Sequence, residues 1–133
     1  MRTRKLTMGI MAMLCSMLGC TAQTKGFRSM GVEEFEQVIA DTAKVIRLDV
    51  RTAGEFADGH ISGACNIDVL GDDFASKAAA KLPKTGKTIA VYCRSGKRSK
   101  KAAGILAGQG FDVVELDSGY LGWTGAGKTV VKQ

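Results

Sequence analysis

The 133-residue chain is sparing with several residue types: it holds one histidine, His60, one proline, Pro83, and one tryptophan, Trp123. A catalytic metal site draws several ligands from histidine, cysteine and carboxylates, and a single histidine gives it little support. No metal or other cofactor is expected. No linker-like stretch divides the chain, which is long enough for one domain with a real core and too short for two ordinary ones. Its longest apolar stretch, Leu6 to Leu18, covers about 13 residues, short of the ~20 that a membrane-spanning helix needs. Aromatics make up 6% of the residues and interleave with no basic stripe, so nucleic acid is not an expected partner. The formal charge is +6. Three of those charges, on Arg2, Arg4 and Lys5, lie in a segment expected to be removed, which leaves a mild +3. A hydrophobic content of 45% with 24% charged residues is ordinary for a globular protein and suggests neither disorder nor a collagen-like repeat.

The N-terminal 20 residues read as an export signal: a charged start, the apolar Leu6 to Leu18, then the small residues Gly19-Cys20-Thr21-Ala22. Met17-Leu18-Gly19-Cys20 is similar to a bacterial lipoprotein signal, which would make Cys20 the lipid-bearing N-terminus. Cleavage after Ala22 would instead release a soluble periplasmic protein. Either way the chain is expected in the cell envelope, meeting a membrane only through a lipid at Cys20. Residues 21–27 then form a tether and residues 28–133 the domain. Of the four cysteines, Cys15 and Cys20 belong to the signal, so the mature domain keeps Cys65 and Cys93. An oxidising compartment permits these two to pair, but only their separation decides it.

Within the domain, Val32, Phe35, Val38 and Ile39 recur at helical spacing, with Glu33 and Glu34 in the first turn. Lys44 to Val50 is a β-rich run. Thr52 and Glu55 have the spacing of a capping box, which predicts a short helix from Ala53 to about Gly59. Ala64 to Asp68 is a further strand candidate, and Asp72 to Leu82 a helix ending at Pro83. Thr88 to Tyr92 is a strand, a helix runs from about Ser99 to Gln109, Phe111 to Leu116 is another strand, and Ser118 to Trp123 a helical turn. Strands alternating with helices at short spacing predict a mostly parallel sheet covered on both faces, an α/β domain.

Cys93-Arg94-Ser95-Gly96-Lys97-Arg98-Ser99 lies between a strand and a helix. A thiol at a strand end, facing a helix N-terminus and three cations, is placed where a thiolate is stabilised. Unpaired amides of the first helical turn point at whatever the sulfur carries. The segment therefore reads as a nucleophile, Cys93, in an anion-holding loop. Arg94 and Lys97 suit the rim for an anionic donor, and Arg98 suits folding back to support the loop.

Two stretches resemble one family. Leu48 to Ile67, with Asp49-Val50-Arg51 and Gly59-His60-Ile61 inside it, is similar to the first signature of rhodanese domains, and Cys93 to Ser99 resembles their active-site loop. Ser118-Gly119-Tyr120-Leu121-Gly122-Trp123 resembles the family's glycine-tryptophan ending. The resemblance implies a rhodanese-like fold with a five-stranded, mostly parallel sheet flanked by helices on both faces. It also implies a Cys93 persulfide, fed by a small anionic donor such as thiosulfate and emptied by cyanide or a thiol, in the manner of exported single-domain sulfurtransferases. Residues Arg94 to Ser99 would bind the substrate. A protein acting as the sulfur acceptor, with the chain as a persulfide carrier or redox-binding module, is the alternative, and the expected state is a monomer.

Phosphatase or arsenate-reductase loops of the Cys-x5-Arg kind need arginine six residues after the cysteine. Here Ser99 holds that position, which disfavours both activities. His60 is read as structural support, and Asp49 and Arg51 as fixing a strand end by mutual or backbone hydrogen bonds. Cys65 is read as a small buried core thiol, the alternative being a partner that resolves the persulfide. Trp123 is read as a packing anchor. Gly122 to Thr129 fits Gly-x4-Gly-Lys-Thr, a nucleotide-binding pattern that works only between a strand and a full helix. With four residues after Thr129, it is read as coincidence.

Overall fold

Short runs of β-branched and apolar residues alternate with helices in the computed structural model, which describes residues 26–84 and 86–132. In chain order these are β1 (Phe27–Met30), α1 (Val32–Ile39), β2 (Val45–Asp49), α2 (Ala53–Asp58), β3 (Cys65–Asn66), α3 (Phe74–Lys81), β4 (Thr88–Tyr92), α4 (Lys97–Gly108), β5 (Asp112–Leu116) and α5 (Gly119–Gly125). The signal, Cys20 and residues 21–25 of the expected tether lie outside the described residues.

The five strands make one sheet in the order β1-β5-β4-β2-β3, and every pairing is parallel. Parallel strands need covering on both faces, and both are covered. On one face α3 and α4 set Phe74, Ala78, Ala102, Ala103 and Leu106 against Leu48, Ile89, Val91 and Val113. On the other, α1 and α5 set Phe35, Ile39 and Trp123 against Ala90, Tyr92, Val114 and Leu116. Trp123 meets Phe35 edge to face at 6.3 Å. β4 lies at the centre of the sheet, so the loop that follows it opens at the C-terminal end of the strands, where parallel sheets bind ligands.

Four local expectations need correction. β1 is absent from the sequence reading, and Phe27, assigned to the tether, is its first residue. Only Met30 of its four residues is buried, because an edge strand has no alternating apolar pattern to show. Helix α4 begins at Lys97, two residues earlier than expected, so Lys97, Arg98 and Ser99 belong to its first turn. Cys65 is exposed, not a core thiol, because β3 is a two-residue edge strand paired on one side only. Cys65 and Cys93 are both free thiols. They lie on either side of β2, roughly 10 Å apart at two strand spacings, beyond the ~7 Å reach of a disulfide.

The nucleotide-like pattern dissolves in the fold: Gly122 to Gly125 are helical, and Lys128 pairs with Glu33 at 3.1 Å and Glu36 at 2.8 Å.

Leu106 has no solvent exposure and joins α4 to the sheet. Replacing it with alanine is expected to cost about 2–5 kcal/mol. Urea denaturation should show a lower midpoint with an unchanged slope for Leu106→Ala; a midpoint equal to that of the native protein would mean that α4 is not held by this contact.

Candidate active site

Cys93 follows the last residue of β4 and is buried, its sulfur turned toward the N-terminus of α4. Arg94 and Ser95 are exposed and bridge to Gly96, the N-cap of α4. Gly96 has φ 105°, a left-handed conformation that an L side chain resists, and a methyl group there would collide with the Asp117 carbonyl. That turn brings the Gly96 N–H to 3.1 Å from the Cys93 sulfur, donating to it. The first-turn amides of α4 have no intrahelical partner and open on the same region.

The loop's carbonyls are held from the other side. Tyr120 N–H donates to the Cys93 carbonyl at 2.8 Å, and Leu121 N–H to the Arg94 carbonyl at 3.0 Å. Both donors are first-turn amides of α5, so one helix N-terminus satisfies two of the loop's acceptors while another faces its sulfur. Gly119 permits the approach: φ is +66°, and a side chain would strike the Arg94 backbone.

The remaining candidates fall into three groups. Arg98 forms a two-pronged ion pair with Glu55, at 2.8 and 3.0 Å. Glu55 also accepts from the Thr52 N–H at 3.0 Å, while the Thr52 hydroxyl caps Glu55 N–H, completing the capping box of α2. Arg98 therefore ties α4 to α2. Lys97 is exposed, and Arg94 lines a 240 Å³ cleft with Arg51, Glu55, Asp58 and Tyr120. Ser99 is buried, its hydroxyl 3.4 Å from the Cys93 sulfur.

Asp49 and Arg51 form a buried ion pair at 2.6 Å. Arg51 also donates to the Gly59 carbonyl at 2.7 Å and lies 4.2 Å over the ring of Tyr120. Opposing charge raises the Arg51 pKa against the burial that would lower it. His60 stacks on Phe56 at 3.7 Å, its Nδ1 is 2.8 Å from the Phe56 carbonyl, and its backbone exchanges hydrogen bonds with Val131. None of these groups touches the sulfur; they shape the strand ends around it. Glu115 and Ser29, absent from the sequence reading, complete the site through Ser99. An acid inside the apolar run Val113-Val114-Glu115-Leu116 was the available signal for Glu115.

A buried cysteine thus follows the central parallel strand, with an amide on its sulfur and the cations Arg94 and Lys97 exposed nearby. The family model of the rhodanese-like domain matches residues 31–126, and the chain belongs to that family. A protein named sulfurtransferase from Allochromatium vinosum is 33% identical over 100 residues, spanning 74% of this chain and 90% of its own. The thiosulfate sulfurtransferase GlpE of Ectopseudomonas mendocina is 35% identical over 100 residues, spanning 69% and 87%. The crystal structure of a rhodanese-related protein from Thermoplasma volcanium matches with a TM-score of 0.64 and 27% identity, over 80% of this chain and 99% of that one.

The Arg98 guanidinium, helped by the Thr52 N–H and hydroxyl and opposed by partial burial, holds the Glu55 carboxyl down at about 2 from its ordinary 4.5. The folded value is the lower one, so this contribution is fully present above about pH 4.5 and is lost as pH falls toward 2. Stability measured across that window should fall more steeply for the native protein than for Glu55→Gln. Parallel acid slopes would show that the ion pair does not support the loop.

Proposed function

We propose that this chain is a sulfurtransferase that takes a sulfane sulfur from an anionic donor such as thiosulfate, carries it on Cys93, and passes it to cyanide or a thiol. The observation that carries this reading is the Gly96 N–H on the Cys93 sulfur, in a loop whose Cys93 and Arg94 carbonyls accept from α5. Family membership and relatives named sulfurtransferase support it.

In the proposed first step the Cys93 thiolate attacks the outer sulfur of thiosulfate. The new bond joins the two sulfurs, the thiosulfate S–S bond breaks, and sulfite leaves with the electron pair. The enzyme keeps Cys93–S–S⁻. In the second step cyanide or a thiolate attacks that outer sulfur and returns the Cys93 thiolate. In both steps the attacking group reacts as an anion, and the Gly96 N–H faces the Cys93 sulfur. Gly96 and the first-turn amides of α4 supply fixed dipoles to the anion, as an oxyanion hole does. Arg94 and Lys97, both exposed, draw the donor to the rim. Arg98 is bound to Glu55 and acts as a strut.

The loop is better matched to a single sulfur than to a phosphate or arsenate. An oxyanion of four oxygens calls for a guanidinium free to clamp it; Arg98 is occupied, and the next position is the buried Ser99. Export by residues 1–20 with lipid on Cys20 belongs to the same proposal and sets the reaction in the cell envelope.

Intact mass before and after thiosulfate tests the reading. The native protein should gain about 32 Da, one sulfur, and lose it to cyanide, while Cys93→Ala gains nothing and keeps its fold. No adduct on a protein whose Cys93 is shown to be reduced would overturn the thiosulfate reading.

A further inference from the structure

Glu115 is a carboxylate without solvent exposure, in β5 on the face that meets α4. One of its oxygens accepts from the Ser29 hydroxyl of β1 at 2.6 Å. The other accepts from the Ser99 hydroxyl and lies 3.3 Å from the Lys100 ammonium. Ser99 is the branch point, its oxygen 3.1 Å from the Gly96 carbonyl and 3.4 Å from the Cys93 sulfur.

A serine has one proton to give. Between a neutral carbonyl, a sulfur and a carboxylate, the carboxylate takes it, since charge-assisted hydrogen bonds are about twice as strong as neutral ones. Ser99 therefore turns a lone pair toward Cys93. It can accept from the thiol S–H and has nothing to offer a thiolate, for which the Gly96 N–H remains as donor.

We infer that Glu115, acting through Ser99, is a positioning residue that disfavours negative charge on the Cys93 sulfur and so drives the site toward its sulfur-loaded form. The inference rests on the sulfur-transfer reading. Loading exchanges the S–S bond of thiosulfate for the Cys93 S–S bond, releases sulfite, and consumes no proton or outside oxidant. Within the enzyme its effect is to move one negative charge from the Cys93 sulfur to the outer sulfur, an S–S bond of ~2.05 Å further on. A charge held behind the inner sulfur penalises the empty thiolate more than the persulfide.

Other charged groups face this network from each neighbouring element. From α4 come Lys100, Arg98 and the helix N-terminus; after β5 comes Asp117, 2.8 Å from Lys100; from α2 comes Glu55, bound to Arg98; β1 adds only the neutral Ser29. Lys100 tempers Glu115 without cancelling it. Its side chain is 43% exposed and shared with Asp117, whereas Glu115 is sealed.

Glu115→Gln tests this with the shape kept, because an amide can donate to Ser99 and release the serine proton toward sulfur. At fixed thiosulfate-to-sulfite ratios, intact mass should give a loading equilibrium constant about tenfold below native for this variant. Its iodoacetamide alkylation profile should move to lower pH. Both shifts should shrink when Ser99→Ala is added. Lys100→Met, a change at a half-exposed position, should move loading and alkylation in the opposite direction, which keeps the test decisive if Glu115→Gln does not fold. Native-like loading and alkylation in folded Glu115→Gln, or no opposite shift in Lys100→Met, would overturn the inference. If the native protein takes no sulfur from thiosulfate, the transfer reading fails separately, and the alkylation profiles still judge Glu115.

Discussion

The two hydrogen bonds from Tyr120 and Leu121 to the carbonyls of Cys93 and Arg94 are the constraint on which the site depends. Buried carbonyls must find donors. The α5 amides supply them from outside the loop and fix the first two peptide units after Cys93, ahead of the Gly96 N–H that reaches the sulfur. Gly96 and Gly119, both at positive φ against neighbouring backbone, are the two places where this arrangement excludes a side chain.

The three stretches that resemble family motifs become one mechanical unit. Trp123 anchors α5 against Phe35. Tyr120, held under the Arg51 guanidinium, links α5 to the Asp49–Arg51 pair at the end of β2. Glu55 of the capping box reaches α4 through Arg98. Buried ion pairs contribute little net stability, since desolvation offsets much of their attraction. The effect here is geometric: Asp49 holds Arg51 where it reaches the Gly59 carbonyl, and the half-buried Arg98–Glu55 pair joins α4 to α2.

Charge around Cys93 is arranged in layers. Exposed Arg94 and Lys97 face solvent and act at long range, screened by salt. The amide of Gly96 acts at contact distance. Behind the sulfur lie Ser99 and, accepting from its hydroxyl, the sealed Glu115. Such an ordering is what the proposed transfer calls for, in which the anion moves outward on loading and inward on delivery.

The alternation of strands and helices, the Thr52–Glu55 cap and the placing of Cys93 between a strand and a helix beside flanking cations were legible in the sequence because each is a local pattern. Periodicity, capping and turn chemistry act over a few residues and leave their marks side by side. What the sequence withheld depends on distant partners. β1 is a strand only because β5 pairs with it, and Ser29 meets Glu115 across 86 residues. The sequence points to Arg98 as a support of the loop but not to its partner Glu55, 43 residues away. The exposure of Cys65 follows from the edge position of β3. By itself the sequence determined which residues could do chemistry and which segments would be regular. Tertiary structure alone decided which charges are sealed, which are wet and which are already paired, because burial and pairing arise when strands far apart in the chain are brought side by side.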